Sequence, residues 1–380
     1  MKILLIHNRY KEQGGEDVIF ETDIQELSKR GHQVETLVFD NSHIEVETFL
    51  QKIHIGIASF YNQKAFKQTE KIIQTFRPNV VHVHNFFYVA SPSIFYAAKC
   101  QNVPTVLTLH NYRLLCANAL LMRENRICED CVSKVFPLDG IIHKCFKNSA
   151  IQSAQITFIT SLHKILGTWK KAIDHYIALT EFAKQKIVNS SLQIPAHKIS
   201  VKPNAVPDYG FSPAKDRENF FLFVGRLSPE KGIDTLLDLA KNNRQIHIKI
   251  IGKGELSQKV RAFAEECGNV TYLGEQPKNK VIEYLKKCRA LVFPSTWYEG
   301  LPTIILEAFS TGTPVIARNI DNLSSIVRNQ QNGILLEFEK AKDLPFISEN
   351  LYIRARKEFL TFYNFEECYR IQEKIYSSLQ

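Results

Sequence analysis

The sequence has no apolar run approaching the roughly 20 residues that cross a bilayer, no low-complexity tract and no repeat of a few tens of residues. Those absences set aside membrane-spanning, disordered and solenoid classes. The opening Met1-Lys2-Ile3-Leu4-Leu5-Ile6-His7 is too short an apolar run for a signal peptide and lacks a small-residue cleavage site, so a cytoplasmic location is expected. Nucleic-acid module signatures are missing and the charges are scattered, so nucleic acid is not an expected partner. Gly-x-Gly-x-x-Gly is absent as well, which argues against a dinucleotide-dependent dehydrogenase.

What is present is ordinary in bulk. Hydrophobic residues make up 44% and charged residues 23% of 380, a globular composition in a chain long enough for two cores. The net charge of +9 is unevenly placed. Residues 51–200 hold 18 Lys/Arg against 7 Asp/Glu, whereas residues 201–380 hold 25 against 22. A basic surface suits acidic small molecules or anionic lipid, although solvated surface accounts for most of these residues.

Twelve short β-rich runs alternate with helical patterns. Six lie between Lys2–His7 and Ile199–Lys202, and six between Phe220–Gly225 and Gly333–Leu336. Several are apolar on both faces, as buried parallel strands are. Amphipathic stretches such as Val18–Arg30 and Gly232–Asn242 lie between them. The alternation predicts an α/β fold of two doubly wound, Rossmann-like domains. Prolines at 203, 207 and 213 mark a linker. The expected division is residues 1–203 and 204–359, with a helical tail over about 360–380 packing back.

Chemistry concentrates where strands end. Gly225-Arg226-Leu227-Ser228-Pro229-Glu230-Lys231-Gly232 follows one strand, and ligands of open α/β sheets sit beyond the strands' carboxyl ends. Arg226 and Lys231 there suit a diphosphate, one as a fork and one as a point charge, or else are plain surface cations. A second segment, Pro294 to Ala308, follows another strand. Pro302 suits a first helical position and Gly312 a helix end, so Gly300, Leu301, Pro302 and Thr303 mark a phosphate-favouring helix N-terminus. Glu299 in the loop can accept sugar hydroxyls. Glu307 within the helix can take two ribose hydroxyls, or is merely solvated.

In the first half, Asn8-Arg9-Tyr10-x3-Gly14-Gly15-Glu16-Asp17 follows the first strand, with two glycines before a helix start. Asp17 can equally be a first-turn residue favoured by the helix dipole. His110-Asn111-Tyr112-Arg113 ends another strand. His82 and His84 are read as structural.

The pair Glu299/Glu307 within Glu-Gly-Leu-Pro-x4-Glu-Ala, with the upstream Gly-Arg-Leu-x3-Lys-Gly, resembles family 4 of the retaining glycosyltransferases. The resemblance implies a GT-B fold, two Rossmann-like domains facing a central cleft, donor on the C-terminal one and acceptor mainly on the N-terminal one. It implies that Arg226 and Lys231 hold the diphosphate, Glu307 the ribose and Glu299 the donor sugar. The base falls near Gly252-Lys253-Gly254-Glu255 and Tyr272-Leu273-Gly274. Gly14 and Gly15 face the donor phosphates, with Glu16, Asp17, Asn111 and Arg113 toward the acceptor. His110 contacts the transferred sugar. Many relatives carry Asp after this His, and this chain has Asn111; relatives usually have Asn-Gly-Val-Asp where this chain has Asn204-Ala205-Val206-Pro207, with Asp208 close by. No Asp-x-Asp metal motif is present, in keeping with metal-independent, retaining transfer that requires no cofactor. UDP-glucose or a related UDP-hexose is the first-choice donor, GDP-mannose the second. The opening motif and a cysteine-bearing insert look like bacterial exopolysaccharide and cell-surface transferases, so the implied acceptor is a growing polysaccharide or lipid-linked glycan. Two alternatives stand beside this: a GT-B sugar-nucleotide epimerase, and a non-catalytic nucleotide-sugar-binding partner subunit.

Four of the eight cysteines cluster, Cys116, Cys128, Cys131 and Cys145, with a Cys-x2-Cys knuckle between two flanking thiols. They are either a four-thiolate structural zinc site or unlinked buried thiols, a cytoplasmic setting disfavouring disulfides. Cys100, Cys267, Cys288 and Cys368 read as small core residues. Leu162, Ile165, Leu166, Trp169 and Ile173 fall at helical spacing with Lys164, Lys170 and Lys171 on other faces. That stripe is either core-facing or a peripheral contact with the anionic inner membrane face.

Overall fold

The computed structural model describes residues 1–10, 14–41, 56 and 58–380. The chain divides into two compact units: Met1–Leu121, Cys128–Lys202 and Tyr369–Gln380 form the first, and Met122–Ile127 with Pro203–Cys368 the second.

In the first unit six parallel strands run in the spatial order β2-β1-β3-β4-β7-β8. They are β1 (Lys2–Arg9), β2 (Gln33–Asp40), β3 (Val80–Val83), β4 (Thr105–Leu109), β7 (His175–Ala178) and β8 (Ile199–Val201). Six successive residues of β1 and all of β3, β4 and β7 are buried, as strands covered by helices on both faces must be. Helix α1 (Gly15–Lys29) follows β1, capped where Asp17 Oδ2 accepts from the Gly14 amide at 2.7 Å. Between β4 and β7 lie a short hairpin, β5 (Met122–Arg123) and β6 (Arg126–Ile127), then the one-turn α4 (Asp139–Ile142) and the longer α5 (Ala150–Ile165). Sequence periodicity did not announce the hairpin. Its turn uses Glu124 and Asn125, both at positive φ (51° and 58°), without the glycine that usually signals such a turn.

In the second unit the parallel order is β11-β10-β9-β12-β13-β14. The strands are β9 (Phe221–Val224), β10 (Ile248–Ile251), β11 (Val270–Gly274), β12 (Ala290–Phe293), β13 (Val315–Arg318) and β14 (Gly333–Leu336). A core including Phe223, Leu236, Ile250, Val292 and Ile316 packs helices onto this sheet. Strand order reverses between β9 and β12, and between β1 and β3 in the first unit. Ligands of open α/β sheets bind at such reversal points.

All twelve expected strands are present, within a residue or two at each end. Two expectations need correction, at Pro302 and Cys100. Pro302 is extended (ψ 117°) and caps the helix Thr303–Ser310 rather than forming its first turn. The tail runs through two helices, Glu349–Phe362 and Phe365–Ser377. Asn364 breaks it, because its side chain donates back to the Leu360 carbonyl (2.6 Å) and accepts from the Glu367 amide (3.0 Å), starting a new helix. Cys100, read as a core residue, is exposed at the end of its helix, while Cys267, Cys288 and Cys368 are buried. No helix among the described residues is long and apolar enough to cross a membrane.

Candidate functional site

The loops after β9 and β12 flank the reversal point of the second unit, and they are tied to each other. The Glu230 carbonyl accepts from the Thr296 amide at 2.9 Å and from the Ser295 hydroxyl at 3.2 Å. Gly232 permits the approach: its φ is +72°, and a Cβ there would lie 2.2 Å from the Pro294 carbonyl oxygen. The loop after β10 presses on the same place. A Cβ on Gly252 would fall 1.9 Å from the Gly225 oxygen, and the Leu227 amide donates to the Lys253 carbonyl at 2.9 Å.

This framework brings together most of the charged residues singled out in the second half. Lys231 Nζ lies 2.6 Å from Glu299 Oε1, which also accepts from Ser295 Oγ (2.6 Å) and Trp297 Nε1 (2.9 Å). Lys231 also stands 5.3 Å from the Trp297 ring centroid. The buried Glu299 backbone is held from below, its carbonyl accepting from Asn322 Nδ2 at 3.0 Å. Arg226 is exposed and pairs with Glu230 at 3.1 Å. Glu307 is buried in the helix that Pro302 caps. One of its oxygens pairs with Lys278, and Oε2 is buried without a hydrogen-bonding partner. A buried carboxylate oxygen left in that state costs free energy that a hydroxyl donor would recover. Asn204 is buried and donates to the Leu301 carbonyl at 3.3 Å, while Asp208 is turned to Arg356 at 2.6 Å. Leu273 lies beside the Gly252 loop, its carbonyl accepting from Gln276; Lys253 extends into solvent and pairs with Glu275. Gly300 and Thr303 are half-buried at the helix start.

Sequence reasoning missed Lys278, Ser295, Trp297 and Asn322. Ser295 and Trp297 lay inside the quoted segment. Lys278 carried no signal, since it reaches Glu307 from a different helix.

In the first unit, Asp17 is spent inside the fold: Oδ1 contacts His7 Nε2 at 2.9 Å and Oδ2 caps the helix. Both of its carboxylate oxygens are thus engaged within the first unit. Gly14 and Gly15 are exposed. Glu16 accepts from Asn85 at 3.3 Å, and burial, with the charge of Asp17, raises its carboxyl to about 8 against the pull of Arg113. Arg113 donates to the Ala117 carbonyl and lies over Phe146, and its amide donates to Asn111 Oδ1 at 3.0 Å.

His110, at the end of β4, belongs to a buried polar chain that starts at Asp23. His84 Nδ1 lies 3.1 Å from His110 Nε2, and His84 Nε2 lies 3.4 Å from Asp23 Oδ2. Tyr369 donates to Asp23 at 2.6 Å, Gln372 at 3.0 Å, and Lys202 stands 3.7 Å away. Burial pushes the Asp23 carboxyl up, but Lys202 and His84 outweigh it and hold it well below its usual range. Burial, then His84, keeps His110 well below the usual histidine range, so it is neutral near pH 7. His84 Nε2 lies near Asp23 Oδ2 without a hydrogen bond to it, and in the His84–His110 contact one ring donates and the other accepts. Among the described residues, Asp23, His82 and His84 are a group whose ligand atoms lie within 4.8 Å of one another. Both His82 nitrogens already face hydroxyls, Tyr376 at 2.6 Å and Thr108 at 2.7 Å, so this group is a hydrogen-bonded network before it is a metal site. The sequence signal was Asp23 itself, a carboxylate on the buried face of α1 beside Ile19, Phe20 and Leu27.

None of the eight cysteines is in a disulfide. Cys131 Sγ lies near Gly140, 3.9 Å from where its Cβ would be, and the Cys145 amide donates to the Gly140 carbonyl; among the described residues the group with three ligand atoms within 4.8 Å of one another is Asp23, His82 and His84, not the four clustered cysteines.

Two parallel-sheet units, each with ligand-competent loops at its strand-order reversal, define a two-domain α/β protein of the GT-B type. The chain belongs to Glycosyltransferase Family 4, whose sequences match residues 14–208, while residues 209–345 match Glycosyl transferases group 1. It is thus a glycosyltransferase by family. A 42.6 kDa protein from the cps region of Klebsiella pneumoniae is 24% identical over 91% of this chain and 93% of its own length. The Escherichia coli UDP-Gal:alpha-D-GlcNAc-diphosphoundecaprenol alpha-1,3-galactosyltransferase is 34% identical over 40% of this chain and 45% of its own. Among solved structures, Anabaena HepE in complex with UDP superposes with a TM-score of 0.67 at 16% identity, covering 99% of this chain and all of that one.

Proposed function

We infer that the chain transfers a hexose, with retention, from a UDP-sugar to a growing or lipid-linked glycan, the second unit binding the donor and the first the acceptor. Glu307 carries the reading. A buried carboxylate with one oxygen unpartnered, behind the β12 loop at the sheet's reversal point, suits the vicinal hydroxyls of a ribose. Lys231 and Arg226 would face the diphosphate, and Glu299 the hydroxyls of the sugar. The UDP-bound relative and the galactosyltransferase relative support a uridine donor; UDP-glucose is the specific choice.

In this reading the bond from the anomeric carbon to the diphosphate oxygen breaks as the acceptor oxygen bonds to the same face. The acceptor's proton passes to the departing phosphate oxygen. Arg226, Lys231 and the backbone N–H groups of Gly300, Leu301 and Thr303 stabilise the charge on UDP, so no divalent ion is needed. His110 would meet a hydroxyl of the transferred sugar.

The insert is read as stapled by one zinc on Cys116, Cys128, Cys131 and Cys145, a reading supported by the Cys-x2-Cys spacing alone. About one zinc per purified chain is expected; metal analysis that finds none ends this part of the reading.

The central test is a thermal-shift panel of UDP, GDP, ADP and their common sugars on the wild type and Glu307→Gln. A rise specific to uridine nucleotides, weakened at least tenfold in affinity in the variant, is expected. No response to any nucleotide overturns the transferase assignment, and interconversion of UDP-sugars without an acceptor would make the protein an epimerase.

A further inference from the structure

Helix α5 is built inside out. Its buried face carries Ser153, Thr157, Thr160, Ser161 and His163 beside only two isoleucines. Three of these polar groups are accommodated locally: Thr160 donates to the Ile156 carbonyl at 3.0 Å, Ser153 accepts from the Phe146 amide, and His163 lies between Thr168 and the Phe60 carbonyl, while the Thr157 and Ser161 hydroxyls are buried without a hydrogen-bonding partner. The outward face is apolar. Ile151, Phe158 and Ile165 recur every seven residues and are 83%, 51% and 70% exposed, and Leu166 beyond the helix end is 57% exposed. An amphipathic helix serving only its own core shows the opposite pattern.

The neighbouring segment widens the surface. The one-turn α4 packs alongside α5 and leaves Ile142 exposed, with Phe136 and Leu138 exposed just before it. Lys164 Nζ donates to the Lys134 carbonyl at 3.1 Å, which holds the 134–136 strand of chain beside the end of α5. From Cys131 to Ile173 the chain carries six lysines and one acidic residue, Asp139, and that one is paired with Lys134 at 2.6 Å. Trp169 and Ile173, the other half of the stripe expected from sequence, are fully buried, so the surface is a different one from that expectation.

We propose that the outer face of α5, with residues 136–142, docks the first unit onto an anionic lipid bilayer, isoleucine and phenylalanine side chains entering the interface and the exposed Lys144 and Lys147 meeting lipid phosphates. Contiguous exposed apolar surface of this kind marks an interaction site. The lysine excess selects a membrane over a second copy of the chain, whose equal charge would repel it. The proposal does not depend on which nucleotide the second unit binds.

The experiment is flotation of the full chain with phosphatidylglycerol/phosphatidylcholine vesicles and with phosphatidylcholine vesicles. Wild type should float with the anionic vesicles and be released by salt. Phe158→Glu/Ile165→Glu should lose at least tenfold in the bound fraction while keeping the wild-type melting temperature and UDP response. Equal flotation of the variant overturns the proposal. So does failure of the wild type to float, including the case in which it instead forms a dimer that the same substitutions dissolve.

Discussion

Lys231 and Glu299 form a 2.6 Å ion pair that joins the loop after β9 to the loop after β12, with both side chains largely withdrawn from water. Breaking one side of such a pair strands the other charge. Lys231→Met and Glu299→Gln are each expected to lower stability by roughly 2–4 kcal/mol. The double substitution should cost less than the two losses added, because neither charge is then left alone. Denaturant unfolding of the four proteins measures this, and strictly additive losses would show that the pair is not coupled.

The Asp23–His84–His110 chain makes a separate prediction about positioning. Asp23→Asn keeps size but removes the buried anion beside His84, the ring that contacts His110. Turnover should fall about tenfold or more, with KM for the donor and the nucleotide-induced melting shift unchanged. If turnover stays within about twofold, or if donor binding falls with it, the chain does not act through His110.

The strand pattern was readable because buried parallel strands hold continuous apolar runs, such as Ile3–Ile6 in β1 and the whole of β12. The donor-side residues were readable for a related reason. They sit in short loops directly after such strands, where Arg226, Lys231 and Glu299 stand out against apolar neighbours. Residues that meet across the chain were not. Lys278 reaches Glu307 over 29 positions, and Tyr369 reaches Asp23 over 346, so no local window contains the pair. The α5 surface illustrates a further limit. Periodicity found a stripe through Leu162, Ile165 and Leu166, but only the packing of Trp169 and Ile173 into the core shows which apolar residues face out. The hairpin at Glu124-Asn125 was hidden because its positive-φ residues are not glycines.

Gly252 offers a test of the loop framework that involves no charged group. Its φ of +142° is unfavourable for any side chain, and a Cβ would overlap the Gly225 carbonyl oxygen at 1.9 Å. Since that neighbour is backbone, the β9 loop itself must move. Gly252→Ala should cost on the order of 2 kcal/mol or more and weaken UDP binding at least tenfold, by displacing the segment that leads to Arg226 and Lys231. Gly268, where nothing lies within 4 Å of a built Cβ, is the matched control, and Gly268→Ala should leave binding unchanged. Equal behaviour of the two variants would rule out the framework argument.

Glu16 should leave a signature in the pH dependence of stability. Burial, reinforced by the charge of Asp17, raises its folded carboxyl from 4.5 to about 8. Below the lower value the group is protonated in both folded and unfolded chains and contributes no slope. Between 4.5 and about 8 the unfolded chain releases the proton while the folded chain keeps it, so stability falls as pH rises through that window. Above it both forms are ionised and the slope vanishes. Glu16→Gln is neutral throughout, and its melting temperature should gain on the wild type by several degrees across the window, with the difference constant on either side. Melting curves of the two proteins over this range decide the matter. Parallel profiles would mean that water or Arg113 keeps Glu16 ionised in the folded protein, and its carboxylate would then be charged and available to an acceptor at neutral pH.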